Sequence, residues 1–123
     1  MKVVVVEPSK KPEMREIGSG LEAMQAVVGG LIEAVYPFDD PVALVCNEEG
    51  KINGLPLNRC LRNEDGKIID VIAGTFFICG APADSESFTS LTDEQIEAYM
   101  KRFAVPEVIL SICGKIIVLP YAG

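Results

Sequence analysis

Histidine is absent from this chain, and with it the side chain best suited to moving protons near neutral pH. A serine or cysteine nucleophile would need some other base, and no G-x-S-x-G elbow or similar motif supplies one. Closely spaced cysteines are missing too. Cys46, Cys60, Cys79 and Cys113 form no C-x-x-C pair, which argues against a structural zinc site. No apolar run approaches the ~20 residues that span a bilayer. Val3–Val6 meets Glu7-Pro8 at once, too short for the core of an export signal. The expectation is a cytoplasmic protein without a membrane partner, disulfides, metal or cofactor. A basic stripe is also lacking: 11 Lys and Arg are scattered among 18 Asp and Glu, for a net charge of −7. Direct nucleic-acid binding is therefore disfavoured, because phosphate neutralisation needs gathered positive charge.

What the chain does contain is an ordinary globular balance, 49% hydrophobic and 24% charged over 123 residues. One domain spanning 1–123 is expected, able to bury roughly two-thirds of its unfolded surface. The cysteines sit mostly in apolar company and read as small buried hydrophobes.

The β-branched run Lys2–Val6 predicts a strand, and residues 13–17 alternate as its hairpin partner would. Ser19 and Glu22 have capping-box spacing, with Leu21, Met24, Val27 and Val28 on one helical face and Gly29-Gly30 as the stop. Strands follow at 31–36 and 42–46. Asn47-Glu48-Glu49-Gly50 is a turn, and 54–59 reads as an irregular loop or single helical turn. Asn63-Glu64-Asp65-Gly66 forms another turn, and 68–79 reads as one long strand with Gly74 inside it. Thr92 to Gln95 is a second capping box, opening a helix that buries Ile96, Tyr99, Met100 and Phe103. Strands at 108–112 and 115–119 close the chain around Gly114. The order β-β-α-β-β-β-α-β-β predicts an α+β fold, a curved, mainly antiparallel sheet packed against two helices.

Four segments together carry a resemblance: Gly29-Gly30-Leu31-Ile32-Glu33, Asn47-Glu48-Glu49-Gly50-Lys51, Leu55-Pro56-Leu57-Asn58-Arg59 and Asp70-Val71-Ile72-Ala73-Gly74. In their order and spacing the chain resembles domain of unknown function 3846, small proteins of bacteria, phages and mobile elements. The resemblance implies an accessory role in that setting and brings no catalytic residue with it.

Asn58 and Arg59 are the main candidates for ligand binding. Arginine offers a rigid fork of donors for carboxylate or phosphate, and asparagine both donates and accepts. Glu33, Asn47 and Gly74 complete the candidate ligand-binding set. Structural readings compete: Asn58 closing a turn, Arg59 pairing with Glu33 or Asp70, Gly74 making a β-bulge. Glu33 and Asp70, if brought together, would suit acid–base or metal chemistry. Three functions follow. The favoured one is a non-enzymatic binding protein whose partner is a small anionic ligand or a host protein, in an arrangement that allows a homodimer. The others are a small carboxylate- or metal-dependent hydrolase and an acidic decoy that imitates DNA.

Overall fold

Val3, Val4, Val5 and Val6 are all fully buried, and that explains the missing polar alternation: both faces of their strand are covered. The computed structural model describes residues 1–121. In chain order its elements are β1 (Lys2–Val6), β2 (Glu13–Glu16), α1 (Leu21–Val28), β3 (Ile32–Val35), β4 (Val42–Asn47), β5 (Leu57–Arg62), β6 (Ile68–Ala73), β7 (Phe76–Gly80), α2 (Asp93–Arg102), β8 (Glu107–Ile112) and β9 (Lys115–Pro120). The fold is α+β, with its strands paired antiparallel.

The pairing is divided more finely than one sheet. Five strands form a sheet in the order β2-β1-β7-β4-β3, while β5–β6 and β8–β9 are separate two-stranded sheets. One face of the large sheet packs Val4, Val6, Leu44, Phe76 and Ile78 against Tyr99 and Phe103 at α2 and Leu61 and Ile72 from β5–β6. The other packs Val3, Val5, Val45 and Phe77 against Met24 and Val28 of α1. Phe103 meets Phe76 edge-on at 5.2 Å, and Phe38 lies 5.1 Å from Tyr99. Asp40 accepts the Tyr99 hydroxyl at 2.9 Å. Burial, and then that bond, raises the Tyr99 pKa above its ordinary value.

Three local expectations change. Residues 54–59 were expected to be irregular, yet β5 begins at Leu57. The expected long strand over 68–79 breaks at Gly74, where the chain leaves β6 for β7. Gly74 has φ +80, and a Cβ there would lie 2.8 Å from Leu55 Cδ1, so a side chain would be both strained and crowded. At α1 the cap is Gly20, not Ser19. The helix starts one residue later than the capping box requires, so Glu22 is one place too early to reach back. At α2 the box forms: Gln95 N–H donates to Thr92 Oγ1 at 3.1 Å, and Thr92 N–H to Gln95 Oε1 at 2.9 Å.

Cys113 also departs from expectation. It is exposed, because it occupies the β8–β9 turn, where it and Gly114 both have positive φ (51° and 77°). Cys46, Cys60 and Cys79 are buried.

Candidate functional site

Asn58 and Arg59 are the polar side chains enclosed by the described core. Adjacent strand residues normally point to opposite faces. Here a register shift between Leu57 and Arg59 leaves Asn58 without a cross-strand partner, and this bulge lets both side chains bury. Asn58 Nδ2 donates to Val6 O and to Gly74 O, each at 2.9 Å, tying β1 to the β6–β7 corner. Its Oδ1 accepts Arg59 Nη1 at 2.9 Å. Arg59 Nη2 donates to Lys10 O at 2.7 Å and Phe103 O at 3.0 Å. One guanidinium thus joins the β1–β2 loop, β5 and the end of α2.

Arg59 Nε has no hydrogen-bond partner among the described residues, although it is buried. Burial lowers the Arg59 pKa from its ordinary value, with the charge of Glu107 opposing. Arginine nonetheless stays protonated across the accessible range.

Arg59 forms part of the wall of a cavity of about 340 Å³, shared with Cys60, Arg62, Arg102, Phe103 and Glu107. Glu107 binds β5 twice. Its Oε1 accepts the Cys60 N–H at 2.9 Å and its Oε2 accepts Arg62 Nη2 at 2.8 Å. The second bond holds the Arg62 pKa above its usual value. The Arg102 guanidinium lies 4.6 Å above the Phe38 ring, a cation–π contact.

Glu33, Asn47 and Asp70 lie elsewhere, around a second cavity of about 280 Å³ that also includes Cys46 and Lys51. Asn47 is occupied structurally: Nδ2 donates to Val28 O at 3.2 Å, and Oδ1 accepts the Glu49 N–H at 2.9 Å. Asp70 accepts Lys51 Nζ at 2.9 Å and the Val71 N–H at 2.8 Å. Burial, and then the charges of Glu33 and Asp70, pushes the Cys46 thiol up to about 11. That suppresses the thiolate a nucleophile needs. Among the described residues no three His, Cys, Asp or Glu side chains converge as metal ligands.

A model of the domain of unknown function DUF3846 matches residues 1–104. The chain belongs to that family. No curated protein and no solved structure matches it. The match takes in the DUF3846 segments carrying Arg59, Arg62 and Arg102, whereas Glu107 and the β8–β9 hairpin lie beyond it.

The five candidate ligand residues of this DUF3846 protein fall into two groups. Asn58, Arg59 and Gly74 meet in one hydrogen-bonded cluster; Glu33 and Asn47 meet around the second cavity. The pairing of Arg59 with Glu33 or Asp70 does not form; backbone carbonyls take its place. Arg62, Arg102 and Glu107 were missed by sequence reasoning. Arg62, three residues past Arg59 on the same strand, was the available signal. Nothing in the sequence brings residues 102 and 107 to it.

Proposed function

We propose that the protein is a non-enzymatic binding protein that holds a small organic anion in the cavity lined by Arg59, Arg62 and Arg102. One observation carries this reading. Three arginines and a single carboxylate line that cavity, in a chain whose net charge is −7. Phe103 and the hairpin residues Val118 and Pro120 give the cavity apolar walls, so an anion with a nonpolar or planar body suits it better than a bare ion. The family resemblance adds a setting to this reading, an accessory protein of bacteria or their mobile elements.

The test is thermal shift against inorganic phosphate, nucleotides, cyclic dinucleotides, sugar phosphates and dicarboxylates. A ligand at 100 times its Kd adds about 2.7 kcal/mol of stability. Arg102→Ala and Arg62→Ala should abolish the shift while leaving the protein folded, and Lys67→Ala, at an exposed turn, should retain it. No shift across the panel, or a shift indifferent to both arginine variants, would overturn the reading.

A further inference from the structure

Glu107 is the one carboxylate among the described residues that line the arginine cavity, and it comes from the start of β8. Its side chain is only 12% exposed, so its charge needs partners, and each oxygen has one. Oε1 accepts the backbone N–H of Cys60, and Oε2 accepts a guanidinium donor of Arg62. Backbone N–H groups and guanidinium forks are the donors from which proteins build carboxylate and phosphate sites. The donors and this carboxylate belong to separate parts of the chain. Arg59, Arg62 and Arg102 lie within the family segment at residues 1–104, and Glu107 lies beyond it. In the link between α2 and β8, Ala104 and Val105 are exposed, while Phe103 and Pro106 are buried. The hairpin is otherwise loosely seated. A cavity of about 410 Å³ lies between it and β5–β6, and most of its residues are exposed.

Resting on the anion-binding reading of this cavity, we propose that Glu107 is an internal competitor for the site: an anion that binds at Arg62 displaces the Glu107 carboxylate, and the hairpin loosens from β5 as the site fills. One oxyanion replaces another on the Cys60 N–H and the Arg62 guanidinium, so the exchange strands neither donor. The released Glu107 carboxylate passes into water. The hairpin is then a cover that the ligand lifts, and the Glu107 contact sets the ligand concentration at which it does so. Competition of this kind lowers the apparent affinity by the fraction of molecules in which the site stands open. A site closed about nine-tenths of the time binds roughly tenfold more weakly than one always open. Coupling is reciprocal: the factor by which Glu107 weakens the ligand is the factor by which the ligand weakens the Glu107 contact.

Calorimetric titration of the full chain with adenosine monophosphate, succinate and inorganic phosphate tests this. Glu107→Gln keeps an oxygen for the Cys60 N–H and removes the negative charge from Arg62, so it should bind these anions about tenfold more tightly. Hydrogen exchange gives a second reading on the unaltered protein. Saturation with the tightest of the three anions should quicken exchange in β8 and β9 while β4 and β7 keep their protection. Arg62→Ala should abolish both the binding and the exchange response. An affinity that Glu107→Gln leaves unchanged or weakens would overturn the proposal and leave the anion reading standing. Hairpin exchange that is slowed or unaltered by the bound anion would do the same. Absence of binding by all three anions, to the unaltered protein and to Glu107→Gln alike, would overturn the anion reading and this proposal with it.

Discussion

The strand β7 and the hairpin β8–β9 are both dominated by large apolar residues, yet β7 is wholly buried and most of the hairpin is not. Composition does not separate them; neighbours do. β7 lies between β1 and β4, with α1 on one face and α2 with β5–β6 on the other. Among the described residues the hairpin has β5–β6 and the end of α2 behind it, held by the two bonds of Glu107. An apolar strand therefore predicts that something covers it, without saying whether the cover comes from the same chain.

The sharpest test of this contrast is truncation. Phe77→Ala removes a fully buried ring from the sheet facing α1 and should cost about 3–5 kcal/mol. Leu119→Ala should cost well under about 1 kcal/mol, since half of that residue is already exposed. Chemical denaturation reads both. Equal losses would show that the hairpin belongs to the same cooperative core.

Next in size is Arg59→Ala, for which about 3 kcal/mol is expected. The change strands the Asn58 Oδ1, Lys10 O and Phe103 O acceptors inside the protein. Arg59→Lys should recover only part of this, because one ammonium cannot span acceptors arranged for a planar fork. A neutral Arg59→Ala would mean that this cluster stabilises nothing.

This cluster also marks the limit of what the sequence discloses. The singular pair Asn58-Arg59 stands out in the chain, and so does the strand character of Lys2–Val6 and Ile68–Cys79, because residue type and period carry that information. Burial of the pair does not stand out, since it depends on a bulge at Asn58 and on carbonyls from residues 10 and 103. Thr92 and Gln95 disclose the start of α2, while the same spacing at Ser19 and Glu22 misleads by one residue. Local signals fix element type; the site is assembled from distant segments.

Glu107→Ala should separate the two regions more directly, at about 2 kcal/mol. It leaves the Cys60 N–H and Arg62 without their acceptor. Hydrogen exchange should quicken in β8 and β9 while β4 and β7 keep their protection. Uniform acceleration across all four strands would break the distinction drawn between hairpin and core.

The cysteines give the smallest effect, and one that divides along the same line. Burial pushes Cys46 up to about 11 and Cys79 up to about 12, and raises Cys60 as well. Below the ordinary thiol value near 9 the folded and unfolded chains hold the same protons, so these groups leave stability unchanged at pH 7. As pH climbs past 9 the unfolded chain ionises first, and stability should fall progressively toward pH 11–12. The loss at pH 9 is on the order of 1 kcal/mol for the three thiols together. A thiol reagent at pH 8 should therefore modify Cys113 promptly in the native protein, whereas the three buried cysteines should react only as fast as the protein opens. Prompt reaction of all four would mean that the main sheet opens as readily as the hairpin, and that the contrast between them is one of exposure without a difference in stability.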